Sequence, residues 1–237
     1  MATQRNDQHT LLQNQTKQDG YQGIFSGNGP KVTMRSHYSV HAVQPVYYLR
    51  DKSGSMSGEK ENQADQGFAE SMAILADGEN RDGFVVTAVA FNEAPQELGR
   101  FKSPKDMLAV QPNRASGGTN LGLAIEMTNR IAAQWTPGVH QQSLPGVYVI
   151  LSDGCTSDEA LTRSEAQAAK ANGATIITIG YGDDADEVLL KDIATSPQHY
   201  RKLMTGSELR QFFAKVGHTL RQTQRAGTNA AAALATI

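Results

Sequence analysis

The chain contains a single cysteine, Cys155, among 237 residues. No intramolecular disulfide can form, and a reducing interior is the simplest setting. Long apolar runs are missing too: none approaches the roughly 20 residues that a membrane-spanning helix needs. The N-terminus is rich in Gln, Asn and Thr and shows no signal-peptide pattern, so a cytoplasmic location is expected. Neither sign of charge dominates. The 22 basic and 24 acidic residues are interspersed and leave a formal net charge of −2. That balance provides no basic nucleic-acid face and no polyacidic tail, and no nucleic-acid or membrane partner is expected. No internal repeat is evident. Gly27-Asn28-Gly29-Pro30-Lys31 lacks the G-x-x-x-x-G-K-[ST] order and follows no apolar strand, which removes a phosphate loop.

What is present suits one sizeable domain with tails. Residues 1–36 are rich in Gln, Asn, Gly and Ser without periodicity and read as a polar, flexible N-terminal arm. Residues 226–237 are Ala- and Thr-rich and read as a frayed tail. Between them, residues 37–225 alternate strand and helix. Val46–Leu49, Phe84–Phe91, Val147–Leu151 and Ala174–Ile179 are nearly continuous apolar runs, as strands covered on both faces should be. The more polar Gln96–Lys102 suits an antiparallel edge, and Tyr200–Met204 suits the other edge. Helical stripes run through Ala64, Phe68, Met72 and Leu75, through Leu121, Ile125, Thr128, Ala132 and Trp135, and through Leu209, Phe212, Phe213, Val216 and Leu220. Thr156 with Glu159 reads as a capping box for a further helix that stops at Asn172-Gly173. The expected fold is a doubly wound α/β domain, with a mainly parallel six-stranded sheet, one antiparallel edge strand and helices on both faces. Ligands of such sheets bind beyond the carboxyl ends of the strands.

Two of those ends carry carboxylates. The first strand runs out into Asp51-Lys52-Ser53-Gly54-Ser55, where alternate side chains supply one carboxylate and two hydroxyls and Gly54 eases the bend. Gly117-Gly118-Thr119-Asn120 opens a helical pattern, and Val147–Ser152 ends in Asp153. Oxygen ligands of this kind suit hard divalent cations, Mg²⁺ above all. The set Asp51, Ser53, Ser55, Thr119 and Asp153 resembles the metal-ion-dependent adhesion site of the von Willebrand factor A family, over a span of about Gln44 to Gln224. The resemblance implies a metal site in which the serines bind the ion directly, while the threonine and aspartates bind it directly or through water. It also implies an open position that takes an acidic side chain from a partner protein. Mg²⁺ is the implied ion, with Mn²⁺ or Ca²⁺ as substitutes. The compact chain is similar to soluble bacterial-type members that work beside AAA+ ATPases or in stress-response operons, which makes such proteins the expected partners. The implied function is a non-enzymatic interaction module.

Two cations depart from the family pattern: Arg50 before the first aspartate and Lys52 after it. Arg50 is expected to pair with a nearby carboxylate or to leave the core at the strand end. The alternative is that it tunes the site or meets an anionic ligand. Cys155 is expected to be incidental, since thiolate favours softer metals. Asp183, Asp184, Asp186 and Glu187 read as helix-start acids complementing the dipole. His37 and His41 have i,i+4 spacing but no helical surroundings. Two other functions remain. A Mg²⁺-dependent phosphohydrolase with Asp51 as nucleophile would need a second Asp where Ser53 stands, and no His lies in a recognisable triad context. A structural or assembly subunit of a larger complex would use the polar arm instead.

Overall fold

In the computed structural model, residues 41–80, 82–110, 114–153 and 155–237 are described. The expected N-terminal arm, the Gly27–Lys31 turn and His37 lie outside these residues. Among the described residues, seven strands and seven α-helices follow in chain order: β1 His41–Asp51, α1 Glu59–Leu75, β2 Phe84–Phe91, β3 Pro95–Lys102, α2 Pro104–Met107, α3 Leu121–Ala132, β4 Gln141–Ser143, β5 Val147–Ser152, α4 Glu159–Ala171, β6 Thr175–Tyr181, α5 Glu187–Ile193, β7 Tyr200–Leu203, α6 Gly206–Arg225 and α7 Ala231–Leu234. The sheet order is β3-β2-β1-β5-β6-β7. β3 is antiparallel to β2, and the other pairs are parallel.

Alternation along the central strands sorts side chains into two cores. On one face Val46 and Tyr48 of β1 meet α1 and α6, with Phe68, Met72, Phe213 and Val216 buried among them. The Tyr48 hydroxyl lies 2.6 Å from Ser71 Oγ on α1, and its ring stands edge-on to Phe68. On the other face Tyr47 and Leu49 meet α3, α4 and α5 through Ile125, Ala166 and Leu190. Both faces are covered, which is why β2 and β5 are apolar at nearly every position. α6 begins with a reciprocal cap: Glu208 N–H donates to Thr205 Oγ1 at 3.2 Å, and Thr205 N–H donates to the Glu208 carboxylate at 3.0 Å.

Four expectations differ from the structure. The sheet has seven strands, not six, because three residues of β4 pair with the start of β1 at His41–Val43. β4, Gln141–Ser143, is too short and polar to show a strand period. Residues 226–237 are not frayed: Ala230 and Leu234 are buried, and His199 Nε2 lies 2.9 Å from the carbonyl of Ala231. Alanines leave no periodic signal, yet they bury readily where a helix end offers a surface. α3 ends at Ala132, so Trp135 lies beyond it and packs its ring 5.2 Å from Phe101. Lastly, Thr156 does not cap its own helix. Its Oγ1 accepts from Leu121 N at 2.9 Å and so serves the start of α3.

Candidate metal centre

β1, β5 and the loop before α3 bring the expected site residues to the carboxyl edge of the sheet. β1 and β5 are parallel neighbours in register from Val46 with Val147 to Arg50 with Leu151. Asp51 and Asp153 therefore leave adjacent strand ends on the same edge. Asp51 and Ser53 are each 2% exposed and Asp153 is fully buried, whereas Ser55 is exposed. The carboxylates form the floor of the site and Ser55 its rim.

A directional hydrogen-bond chain links them. Ser55 Oγ donates to Asp153 Oδ1 at 2.6 Å. Its single proton is then used, so Ser53 donates across the 3.0 Å contact between the two serine hydroxyls. Asp51 is fixed at both oxygens: Oδ1 accepts from Ser53 N at 2.8 Å and Oδ2 from Ser152 Oγ at 2.6 Å. Burial pushes the Asp51 carboxyl up from the usual carboxylate range. Its bonds to Ser152 and Ser53 pull it back, and the charge of Asp153 adds to the rise.

Thr119 is carried by a loop tied in from three sides. Gly54 N donates to Gly117 O at 2.9 Å, joining the serine turn to the glycine loop. Asn120 N donates to Asn92 O at 2.8 Å. Ser157 N donates to Thr119 O at 2.9 Å. Asp158 completes the clamp, with its two oxygens each accepting at 3.0 Å from Gly122 N and Leu123 N. An acid at a helix start meets both orphan N–H groups and the positive end of the dipole. The approach is close: a Cβ at Gly122 would stand 2.7 Å from Thr162 N and 2.8 Å from the Asp158 carboxylate. The sequence reading missed Asp158, Ser152 and Lys60, whose ammonium donates to Asp153 Oδ2 at 2.6 Å.

Arg50 and Lys52 point away from this floor. Arg50 pairs with Asp65, and its guanidinium lies 4.4 Å from the centre of the Phe68 ring. Lys52 Nζ donates to Glu61 at 2.9 Å and to Asp65 at 3.0 Å. Glu61 also accepts from Ala115 N at 3.0 Å. The pairing expected of Arg50 is present, and Lys52 shares it. Cys155 is free and exposed. Asp186 caps α5 by accepting from Leu189 N at 3.0 Å, and Glu187 pairs with Lys191 and Lys202, which are structural roles. His41 lies in extended β1, so the i,i+4 spacing has no helical meaning. Among the described residues no group of three or more His, Cys, Asp and Glu side chains is placed to hold a metal. The donor set is instead two carboxylates with serine hydroxyls, all oxygen, and that chemistry fits a hard divalent ion.

The model of the von Willebrand factor type A domain matches residues 46–215. The chain belongs to that family. No curated protein sequence matches it. Solved VWA-type structures share its fold at low identity. Proximal thread matrix protein 1 of the mussel byssus is 20% identical with a TM-score of 0.61, and the match covers 77% of this chain and 49% of that one. A related structure of that protein carries a zinc-occupied metal-ion-dependent adhesion motif. The pilus adhesin SpaC of Lactobacillus rhamnosus GG is 14% identical with a TM-score of 0.64, over 76% of this chain and 31% of that one. The vWF domain of the pilus tip protein Mfa5 from Porphyromonas gingivalis is 16% identical with a TM-score of 0.60, over 78% of this chain and 97% of that one. The chain thus spans about half of the mussel protein and under a third of SpaC. Among the described residues, no helix of this VWA domain is long and apolar enough to cross a membrane.

Proposed function

We propose that this VWA domain is a divalent-metal-dependent protein-binding module, with Mg²⁺ as the ion and Mn²⁺ or Ca²⁺ as substitutes. The observation that carries the reading is the all-oxygen cluster of Asp51, Ser53, Ser55 and Asp153 under an exposed rim. Thr119 stands on the loop that Gly54 and Ser157 tie to the cluster. When bound, the ion would supply a concentrated positive charge for a partner carboxylate to meet. The protein's own residues do the rest. Ser152 and the Ser53 N–H orient Asp51, and neutral hydroxyls in place of further carboxylates leave the charge of a bound ion incompletely quenched. The expected partner presents an Asp or Glu. By family analogy it is an AAA+ ATPase or a stress-response operon protein, met in the cytoplasm.

A non-enzymatic role suits the site. Ser55 Oγ is hydrogen-bonded to Asp153 and to Ser53 Oγ, and neither contact is to an imidazole. A hydrolase serine would need a base at that position.

The test is an affinity pull-down from native lysate in Mg²⁺, in EDTA, and with Asp51→Ala in Mg²⁺. A partner captured by wild type in Mg²⁺ and lost in the other two lanes is the expected result. A partner retained in all three lanes overturns metal gating and puts the assembly role in its place.

A further inference from the structure

Asp153 is the most deeply buried member of the cluster, and both its oxygens are engaged: Oδ1 by the Ser55 hydroxyl and Oδ2 by the Lys60 ammonium. Lys60 comes from the first turn of α1, 93 positions earlier in the chain. A cation there opposes the positive end of the helix dipole, and its acidic neighbours Glu59 and Glu61 are the residues that suit the position. The Lys60 side chain is 32% exposed, whereas the Asp153 side chain is 0% exposed. The ammonium can swing into solvent without opening the core, but the carboxylate cannot follow it. Gly182, just past β6, makes room for the ammonium where it stands, because a Cβ there would lie 3.3 Å from Lys60 Nζ. The exposed Asp183 and Asp184 come next along that rim.

We propose that Lys60 is a tethered cation that competes with the divalent ion for Asp153 and thereby sets the metal affinity of the site. The other two cations near the strand end are committed to Asp65 and Glu61. Asp51 is held by a hydroxyl and an N–H, and among the described residues no cation pairs with it. Among the described residues the cluster thus holds two buried carboxylates and one ammonium, which is paired with Asp153. A divalent ion entering among the same oxygens meets a like charge on Asp153, and binding must release the lysine. Lys60 keeps the floor satisfied without metal and raises the concentration of ion needed to fill it.

This inference rests on the metal-binding reading, and its test separates the two. Calorimetric Mg²⁺ titrations are run on wild type, on Lys60→Met, which keeps the stem and removes the charge, and on Asp51→Ala. Lys60→Met is expected to bind Mg²⁺ about tenfold more tightly than wild type, with Asp51→Ala showing no saturation. Equal affinity in wild type and Lys60→Met overturns the role of Lys60 and leaves the metal site standing. No saturable binding in either protein overturns the metal site itself. An independent arm uses wild type alone: amine labelling read by mass spectrometry, with and without Mg²⁺. Labelling of Lys60 should rise several-fold on Mg²⁺ addition relative to Lys170, on the far part of α4. Unchanged labelling alongside saturable Mg²⁺ binding also overturns the proposal, whether or not the variant folds.

Discussion

Two charged clusters flank the end of β1, built from alternate residues of one strand. Arg50 and Lys52 turn toward α1 and meet Asp65 and Glu61. Asp51 and Ser53 turn the other way and share a site with Ser55 and Asp153, where Lys60 is the cation on a carboxylate. The first cluster balances two cations against two carboxylates. The second has two carboxylates and one ammonium. Burial disfavours the charged Arg50, pulling its guanidinium below the ordinary value, while Asp65 and Glu61 push back. Burial likewise pushes Asp51 up, and among the described residues hydrogen bonds from Ser152 and Ser53 offset it in place of a cation. A balanced buried network holds a helix to a strand. An unbalanced one waits for an external charge. That difference separates scaffold from site across a few residues of the same segment.

Removing one partner from the balanced cluster should have the largest effect on folding. Asp65→Ala strands Arg50 and leaves Lys52 with Glu61 alone, and the two cationic side chains are 7% and 5% exposed. A loss of about 3 kcal/mol is expected, equivalent to about 6–12 °C in the thermal midpoint. Mg²⁺ affinity measured at a temperature where the variant is folded should hardly change. A variant as stable as wild type would show that the network contributes nothing, and the contrast would collapse.

The converse change is Asp51→Asn, which keeps shape and removes charge from the unbalanced side. Mg²⁺ affinity should drop by about 100-fold or more, beyond the 10–100-fold typical of partners that merely orient a ligand. The urea midpoint in EDTA should move by less than about 1 kcal/mol equivalent, because a buried carboxylate without a counter-cation contributes little to folding. Large destabilisation with unchanged affinity would reverse the assignment of the two clusters.

A milder perturbation tests whether the site depends on its clamp. Asp158→Ala leaves the Gly122 and Leu123 N–H groups without their acceptor. About 1 kcal/mol of stability and about tenfold in Mg²⁺ affinity should be lost, by chemical melt and calorimetry. Loss of stability alone would mean that the loop keeps its place without the carboxylate.

The smallest effect expected is one of pH. Burial alone would raise the Asp158 carboxyl, but hydrogen bonds from Thr156, Gly122, Leu123 and Thr162 outweigh it and hold it below the usual carboxylate range. A carboxyl depressed in the folded state stabilises above its unfolded value, near pH 4, and loses that contribution as pH falls through the folded value. Much of Asp158 faces solvent, so the effect is screened and small. Urea melts in EDTA at pH 5 and pH 3 should show a slightly larger acid loss for wild type than for Asp158→Asn. Identical losses would remove Asp158 from the acid response.

How much of this was legible beforehand depended on whether the relevant partners lay close in sequence. Asp51, Ser53 and Ser55 stand out because period-two spacing in a strand end already implies a common side. The buried strands stand out because coverage on both faces demands apolar residues without alternation. Thr156 and Glu159 carried the pattern of a local cap, but the hydroxyl was taken by the start of α3, 35 positions earlier. Asp158 and Lys60 carry no motif at all. Their meaning is their partners, 36 and 93 positions away. The packed C-terminal segment was illegible for a different reason: alanine suits a helix, a tail or a contact equally well, and the surface beneath it decides.

The sequence by itself determined the α/β alternation, the apolar strands and the oxygen-bearing residues at their ends, because each follows from local stereochemistry and the cost of burying polar groups. Tertiary structure decided which charges neutralise one another. It assigned Arg50 and Lys52 to Asp65 and Glu61, and Lys60 to Asp153, because ion pairs form between neighbours in space and the fold alone makes those residues neighbours.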